Sequence, residues 1–551
     1  MSLRFITAIR AALLLILAAV SACAGADLYN VAGTVLNTGT NSPLPRARVY
    51  FYRSTAAAKP VASTITGNDG RFRFQLPAGS YVMRAGTRDT WENYGSRNPS
   101  NAIASAVIVG PDKDTTNLIF RFFPPAAISG RILDDAGEPV RGALVQLIRS
   151  SVTGGRRSAT VFGYQRTNDI GEYRFGRLPG DTLYFLAVTG QPWYTQPETG
   201  DDSGTKAAAA YAPMYYPNSS DASKAAPIAL KQGEEARADF RMTTVPNSTI
   251  AVRHNAPPGM KGTLTLTYDG VAGVMATQQA QQLFAFNRPP LRGQPDLPPQ
   301  IQSLESVPPG HYTLRILGTA EGNAFGASVT VDVAGSDVTM DLDLKAIPKV
   351  EGSVHLVPGA RQTGAIRVSM RSEASGAVAT TTVQGDGSFR FAAVAPGRFR
   401  LSCGGPDGFF ASQIEARGGT IRDGILEVSE GSDVSLSITA SNETGGVRGF
   451  VVDGDRGIEG ALVVLAPESG ELSGELNNDA RYRSYQTESD GSFDFRSIPT
   501  GRYLLFAVDN SQLEYARPDV IALYRSRAKE IDIHAGASTD ERISIAQPIA
   551  R

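Results

Sequence analysis

Few residues in this sequence have the types and spacing that catalysis or metal binding requires. The four histidines, His254, His311, His355 and His534, lie far apart along the chain, and none begins a His-x-x-Glu or His-Glu-x-x-His zinc motif. There is also no Gly-x-Ser-x-Gly turn for a nucleophilic serine and no Gly-x-x-x-x-Gly-Lys loop for a phosphate. We therefore expect no catalytic residue, no metal site and no cofactor.

Aromatic side chains in loops have the clearest binding chemistry, because flat rings beside polar groups can stack on sugars. The two tryptophans of the chain, Trp91 and Trp193, lie in loops at matching points of the repeat described below. The predicted ligand-contacting residues are Trp91, Tyr94, Trp193, Tyr194, Tyr211, Tyr215 and Tyr216. The alternative is that these rings fill the open end of each domain and anchor the loops, and the sequence leaves both interpretations open.

The first 22 residues have the features of a secretory signal peptide. Arg4 and Arg10 form a short basic region, and a short apolar run and small residues follow it. The run is too short to cross a bilayer as a helix. Cys23 follows Val20-Ser21-Ala22, a pattern like the bacterial lipobox, which favours lipidation of Cys23; plain cleavage is the alternative. We predict export to the periplasm, the outer membrane or the cell surface, with membrane contact only through this lipid anchor.

Charge and cysteine content restrict the partners and the means of stabilisation. The formal net charge of the 551 residues is -1, so no global positive field favours nucleic acid as a partner. The only other cysteine is Cys403, which alternates with Phe399 and Leu401 on one face of a predicted strand and is expected to be buried. Each domain must then be held together by its own core rather than by disulfides.

A repeat of about 100 residues organises the chain. Its clearest copy has Asp490-Gly491-Ser492-Phe493-Asp494-Phe495 followed by Pro499-Thr500-Gly501-Arg502-Tyr503. Related segments begin at Asn68, Asn168 and Asp386. A further copy retains only the second half of the motif, which begins at Val307. Asp-Gly favours a turn and Phe-x-Phe a half-buried strand, so the pattern predicts a hairpin and then a strand that begins with a structural tyrosine.

Four short motifs recur in a fixed order: Gly-x-Val, Ala-x-Val-x-Leu, Asp-Gly-x-Phe-x-Phe and Pro-x-Gly-x-Tyr. This order resembles the carboxypeptidase regulatory-like domain. The resemblance is clearest at residues 31–123, 127–243 and 446–548, fair at 348–440 and weak at 247–345. It implies a transthyretin-like sandwich of seven strands, close to starch-binding-like and Cna-B-like sandwiches, and it implies a fold rather than an activity.

The predicted fold class is therefore all-β: a tandem array of about five seven-stranded Greek-key β-sandwich domains, transthyretin-like or carbohydrate-binding-like, preceded by a signal peptide. The predicted segments are the signal peptide at 1–22 and domains at 28–123, 127–243 with a long aromatic loop, 247–345 in degenerate form, 348–440 and 446–548. We refer to these five domains as copies one to five.

The function predicted from the sequence is that of an exported, non-catalytic binding or scaffold protein of the bacterial cell envelope. Its expected partners are polysaccharide or envelope proteins. The alternative is a carbohydrate-binding protein that uses the aromatic loops, and a hydrolase accessory or an unrecognised hydrolase is less favoured.

Overall fold

The computed structural model describes residues 27–99, 104–190, 209–271, 274–284, 300–360, 362, 364–373, 378–391, 394–405, 408–422, 424–429, 431–468 and 481–548. Their regular structure is almost entirely β-strand, which confirms the all-β fold class. The helical segments among these residues are short: α1 (Pro518–Ala522) and 3-10 turns at Ala222–Lys224 and Arg525–Arg527. None of the described helices has the length and apolar character needed to cross a membrane.

Copy one consists of two sheets around one apolar cluster. In the first sheet, β1 pairs with β2 and β5 and, in parallel, with β9; in the second, the order is β4-β3-β6, and both β7 and β8 pair with β6. Phe51, Tyr81 and Phe120 are among the buried residues of the cluster. The strands are β1 (Leu28–Asn37), β2 (Ser42–Pro43), β3 (Arg48–Tyr52), β4 (Ala62–Ile65), β5 (Arg71–Pro77), β6 (Gly79–Gly86), β7 (Trp91–Asn93), β8 (Ala106–Val109) and β9 (Leu118–Phe122).

Copy two repeats this arrangement with longer strands. In one sheet β10 pairs with β13, β18 and β19, and in the other the order is β12-β11-β14, with β16 and β17 both on β14. A small third sheet joins β15 to β20. The strands are β10 (Ala126–Leu133), β11 (Leu144–Thr153), β12 (Arg156–Arg166), β13 (Glu172–Leu178), β14 (Thr182–Thr189), β15 (Ala209–Tyr211), β16 (Met214–Tyr215), β17 (Ile228–Leu230), β18 (Glu235–Arg237), β19 (Phe240–Arg241) and β20 (Thr244–Pro246).

Copy three, which has the weakest sequence resemblance, also forms two sheets. Their strand orders are β24-β21-β27 and β23-β22-β25-β26-β28, and they enclose a large apolar cluster. The strands are β21 (Ser248–His254), β22 (Lys261–Asp269), β23 (Met275–Phe284), β24 (Gln300–Val307), β25 (Gly310–Ala320), β26 (Asn323–Val333), β27 (Val338–Leu342) and β28 (Lys345–Ala346).

Copy four differs from the others because its strands join into a single nine-stranded sheet. The order is β31-β30-β33-β34-β37-β29-β32, with β36 on β33 and β35 on β36, and the sheet encloses its own cluster, which includes Cys403. The strands are β29 (Val350–Leu356), β30 (Arg367–Ser372), β31 (Val378–Thr382), β32 (Ser388–Phe391), β33 (Gly397–Gly404), β34 (Phe410–Arg417), β35 (Thr420–Arg422), β36 (Ile425–Val428) and β37 (Val434–Ser441).

Copy five returns to two sheets. In one, β38 pairs with β39, β42 and β45; in the other the order is β41-β40-β43-β44. It has two apolar clusters, one between the sheets and one on the far side of the second sheet. The strands are β38 (Thr444–Asp453), β39 (Arg456–Gly457), β40 (Leu462–Pro467), β41 (Arg483–Gln486), β42 (Ser492–Pro499), β43 (Gly501–Val508), β44 (Lys529–Ile533) and β45 (Ser538–Ile543).

Each predicted copy has its own buried apolar cluster, whereas residue contacts divide the chain into two compact units. The first unit comprises residues 1–97, 102–122 and 488–490, and the second comprises the remainder. The division into five domains with the boundaries given above stays a prediction.

The predicted hairpin at the Asp-Gly turn is wrong. In copy one this turn leads from β4 in the second sheet to β5 in the first, and the same change of sheet separates β41 from β42 in copy five. The turn itself forms as expected, with positive φ at Gly70 and Gly491. The apolar alternation reveals a strand and its buried face, but not the sheet that the strand joins.

The tyrosine that follows the Pro-Gly segment has the same partner in four copies. Its hydroxyl donates a hydrogen bond to the carbonyl oxygen of a proline that is the last residue of the preceding strand or directly follows it. The pairs are Tyr81 to Pro77 at 2.8 Å, Tyr184 to Pro179 at 3.0 Å, Tyr312 to Pro308 at 2.9 Å and Tyr503 to Pro499 at 2.9 Å. The four rings are buried, which confirms that this tyrosine is structural. Copy four has Phe399 at this position and lacks the hydroxyl.

In three copies, a buried threonine hydroxyl makes two hydrogen bonds to the backbone of the segment that leads into β3, β11 or β40. In copy five, the Thr487 hydroxyl accepts a hydrogen bond of 2.9 Å from the Ala461 backbone N–H and donates one of 2.6 Å to the Ile458 carbonyl. Thr66 and Thr167 make the same pair of bonds in copies one and two. Val383 occupies this position in copy four and has no hydroxyl. Its backbone N–H donates to the Ile366 carbonyl oxygen, as the threonine N–H groups donate to the alanine carbonyl oxygens in the other three copies.

Candidate binding surface

One surface of copy one combines aromatic and basic side chains. It is the outer side of the β4-β3-β6-β7 sheet, opposite the core, because alternate residues of a strand face opposite sides and Val49, Phe51 and Met83 point inward. We call this surface the copy-one face and define it by Arg48, Tyr50, Tyr52, Arg84, Trp91 and Asn93. The strand register places Tyr50 beside Arg84, and Arg84 beside Asn93.

The rings of this face lie in series. The ring centroids of Trp91 and Tyr50 are 5.2 Å apart, and those of Tyr50 and Tyr52 are 6.2 Å apart. Trp91 is 41% exposed and the two tyrosines are half-buried, so ring surface remains open to solvent. Exposed rings in a row, supported from below by a sheet, form a surface on which a flat apolar face of a ligand can stack.

Gly86 permits this arrangement. Trp91 pairs with Gly86 across the sheet, and a Cβ atom at Gly86 would lie 2.0 Å from the carbonyl oxygen of Thr90 and 2.9 Å from Cα of Trp91. Only glycine allows β7 to approach β6 so closely. The edge strand therefore brings the Trp91 indole next to Tyr50 on the neighbouring row.

Arg84 is oriented by its neighbours. Its Nε donates a hydrogen bond of 3.2 Å to Oδ1 of Asn93, and its guanidinium carbon lies 5.3 Å from the centre of the Tyr52 ring. A cation at this distance from a ring face is stabilised by the ring quadrupole. Glu92 lies between Trp91 and Asn93 but pairs with the buried Ala85, on the opposite side of the sheet. Burial raises the pKa of Glu92 to about 7.

The same sheet side is covered in copies two and five. In copy two, Ile148, Phe185 and Ala187 occupy the positions of Tyr52, Val82 and Arg84. They pack into the apolar cluster of copy three.

In copy five, α1 and its flanking residues cover the face. Val464 and Phe506 occupy the positions of Tyr50 and Arg84, and the Phe506 ring stacks on Tyr524 with centroids 5.0 Å apart. The covering residues include Leu513, Tyr515 and Ile521.

Copies three and four present polar versions of this face. Copy three has Thr265, Thr267 and Arg315, and the two threonine hydroxyls donate to carbonyl oxygens of the neighbouring strand. Copy four has Arg367, Ser369 and Ser402, which line a surface pocket of about 540 Å³. The equivalent sheet side thus differs in each of the five copies.

The structure places the predicted ligand-contacting residues in different environments. Trp91 lies at the start of an edge strand rather than in a loop, and it is exposed. Tyr94 is fully buried in the copy-one core, next to Phe120. Trp193 and Tyr194 lie outside the described residues, as does Cys23.

The other predicted tyrosines belong to copy two and lie against its core. Tyr211 is buried, and its hydroxyl lies 3.4 Å from Oδ2 of Asp134. Tyr215 is buried in the cluster of copy three, and burial raises its pKa above the ordinary range. Tyr216 packs edge-on against Phe240. These rings have the positions expected of residues that fill the end of a domain and anchor its loops. Ligand contact by the predicted set stays a prediction, and Trp91 is its exposed member in the part of the chain that the structure describes.

Tyr50, Tyr52 and Arg84 were not predicted from the sequence as residues of a binding surface. The signal was present: in Ala47-Arg48-Val49-Tyr50-Phe51-Tyr52, alternate residues belong to the core, so Tyr50 and Tyr52 had to face the other side. Because tyrosine and phenylalanine both suit a buried strand, the run reads as uniformly apolar and hides the difference between its faces.

The histidines do not converge. His254 is buried, which lowers its pKa; His311 contacts Asp332; and the His355 ring contacts the Ser353 hydroxyl at 2.8 Å. His534 lies 3.7 Å from Asp532. In the described part of the chain, no three His, Cys, Asp or Glu side chains are grouped so that they could hold a metal ion.

Comparison with known proteins identifies one segment of the chain. Residues 30–107 match the model of the carboxypeptidase regulatory-like domain, which confirms the resemblance seen in the sequence of copy one. No curated protein matches the chain. The resemblance of the later copies to this domain stays a prediction.

Among solved structures, the Bacillus anthracis TIE protein is 11% identical, with 75% of this chain and 74% of that chain covered and a TM-score of 0.17. The shaft pilin SpaA from Lactobacillus rhamnosus GG is 12% identical, covers 40% of this chain and 98% of its own, and has a TM-score of 0.20. The streptococcal ancillary pilin is 11% identical, with 55% and 100% covered and a TM-score of 0.17. At these scores the likenesses carry no argument about function.

Proposed function

We propose that the chain is an exported, non-catalytic binding scaffold of the bacterial cell envelope. The observation that carries this proposal is the contrast between a constant frame and a variable surface. Residues that recur at matching positions of several copies, such as Tyr503 and Thr487, make hydrogen bonds to backbone groups within their own copy. The outer sheet side, in contrast, has different residues in each copy.

This contrast favours binding over catalysis. A repeated catalytic unit would be expected to repeat its reacting side chains, whereas here the repeated side chains stabilise turns and strand ends. Export is supported by the basic and apolar pattern of residues 1–22. Attachment through a lipid on Cys23 belongs to the same proposal.

The test is to incubate the purified chain with insoluble envelope material from its host and to measure both sedimentation and polymer size. The proposal predicts that the chain sediments with the material and leaves the size distribution of its polymers unchanged. New, shorter products would instead identify a hydrolase and overturn the proposal.

A second candidate is carbohydrate binding, which the Trp91–Tyr50 pair favours. The two rings are partly exposed, adjacent and accompanied by the hydrogen-bonding groups of Arg84 and Asn93. Apolar ring surface beside polar groups matches the two kinds of surface that a sugar presents.

A polysaccharide binding screen tests this candidate with Trp91→Ala, Trp193→Ala and a matched control. The control is Tyr164→Ala, which removes another exposed ring, 54% accessible, from an edge strand of copy two. Loss of one stacking ring worth about 1 kcal/mol weakens binding roughly fivefold. Equal weakening by Trp91→Ala and Tyr164→Ala would show that the copy-one face is not the site.

A further inference from the structure

The copy-one face has a positive charge on both sides of its rings. The register places Arg48 beside Gly86, in the row that contains Trp91, and Arg84 beside Tyr50 in the next row. Neighbouring strands are about 4.8 Å apart, so both guanidinium groups lie within side-chain reach of a ligand stacked on Trp91 and Tyr50.

Neither arginine is neutralised by a carboxylate in the part of the chain that the structure describes. Arg84 uses Nε for Asn93, which leaves its terminal nitrogens as donors. A guanidinium group held by a hydrogen bond and a ring loses less freedom when it binds a carboxylate, and its donors match the two carboxylate oxygens.

None of the strand residues on the outward side of this sheet is acidic, and the Glu488 carboxylate, which lies at the edge of β8, accepts a hydrogen bond from the Ala106 backbone N–H. The other outward positions of these strands are Ser63, Ile65, Ser80, Val82, Ala106 and Ile108. The acidic residue of β7, Glu92, lies on the opposite side of the sheet, and its raised pKa is caused by burial rather than by a neighbouring charge. The turn before β7 contains both Arg88 and Asp89, whose charges cancel.

The residue at the Arg84 position changes with the exposure of the face. It is Ala187 in copy two and Phe506 in copy five, where protein covers the sheet. It is Arg315 in copy three and Ser402 in copy four, where the face is polar. The covered copies thus have an apolar residue at this position and the other copies a basic or polar one, which is expected if it meets solvent or a ligand rather than the chain itself.

We infer that the copy-one face binds polysaccharides that carry carboxylate groups, with sugar rings on Trp91 and Tyr50 and a carboxylate on Arg84, assisted by Arg48. This inference rests on the proposed carbohydrate binding and names the class of polysaccharide. Carboxylates on the sugar supply the charge complementarity that a neutral polymer lacks.

The test compares polygalacturonate with the same polymer after methyl esterification, which removes the charge but keeps the sugar chain. The native chain should bind the acid form about tenfold more tightly at low salt, and added salt should reduce this preference. The variant Arg48→Gln/Arg84→Gln should lose the preference and bind the acid and the ester with equal affinity. Arg73→Gln, an exposed arginine on β5 in the other sheet, is the matched control and should behave as native. Thermal unfolding of each variant verifies that copy one remains folded.

Three results would overturn the inference. Equal binding of acid and ester by the native chain would leave carbohydrate binding in place but refute the selection of carboxylates. Competition by polyglutamate as strong as that by polygalacturonate would show attraction to any polyanion. No binding of either polymer, nor of any polysaccharide in the screen, would refute the proposed carbohydrate binding as well.

Discussion

The hydroxyl of Tyr503 donates a hydrogen bond of 2.9 Å to the carbonyl oxygen of Pro499, across the point where the chain passes from one sheet of copy five to the other. The proline ends β42, and the tyrosine follows the start of β43. The bond therefore holds the two strands together at the point where the chain changes sheet and the strand-to-strand hydrogen bonds are interrupted. Its recurrence in copies one, two and three shows that it is a structural feature of the repeat.

Removing this hydroxyl should destabilise copy five. In Tyr503→Phe the ring remains and the buried Pro499 carbonyl loses its donor, which costs about 1 to 2 kcal/mol. Calorimetric unfolding should show a lower transition temperature for the compact unit that contains most of copy five. Phe399→Tyr in copy four is the complementary change, because it supplies a hydroxyl where copy four lacks one, and it should not destabilise the chain. An unchanged transition in Tyr503→Phe would contradict a structural role for the bond.

The threonine hydroxyl should be needed for its two bonds rather than for its shape. Thr487→Val keeps the volume but leaves the buried Ala461 N–H without its acceptor, at a cost of about 2 kcal/mol. Thr487→Ser retains the hydroxyl and should lose less stability. Chemical denaturation measures the free energy of unfolding of both variants. A serine variant that is less stable than the valine variant would refute this explanation.

A glycine in the first strand of copy four should tolerate no side chain. A Cβ atom at Gly352 would lie 2.1 Å from the carbonyl oxygen of Leu436 on the parallel strand, which is far inside contact distance. Gly352→Ala should therefore destabilise copy four by about 2 kcal/mol or more. Gly385→Ala, where no heavy atom lies within 4 Å of the added group, is the matched control. Equal stability of the two variants in denaturant titration would show that the parallel strand can move aside.

Copy one should lose stability as the pH rises, because of Glu92. Burial raises the pKa of Glu92 from 4.5 to about 7, so the folded chain binds a proton more tightly than the unfolded chain does. The protonated form stabilises copy one fully below about pH 4.5, and this contribution is lost as the pH rises to about 7. Glu92→Gln should remove that dependence and raise stability at pH 8 by about 1 to 3 kcal/mol. Thermal unfolding at pH 5 and pH 8 measures the difference. If the stability of Glu92→Gln depends on pH as strongly as that of the native chain, Glu92 is not the cause.

The sequence predicted the frame better than the surface. The structural tyrosine, the buried Cys403 and the all-β fold follow from local alternation and turn residues, which act over a few positions. The hairpin prediction was wrong because strand partners depend on packing between distant segments, and β5 pairs with β1 rather than with β4. The loop prediction for Trp91 and the omission of Tyr50 have the same origin, since only the register shows which rings share a face.

Polysaccharide binding through the copy-one face can be tested at Trp91, its most exposed ring. Polysaccharide affinity is measured for the native chain, for Trp91→Ala and for Tyr164→Ala, with thermal unfolding as a check of each fold. Binding at this face predicts that Trp91→Ala weakens the affinity roughly fivefold while Tyr164→Ala leaves it unchanged. Native affinity in a folded Trp91→Ala variant would contradict it.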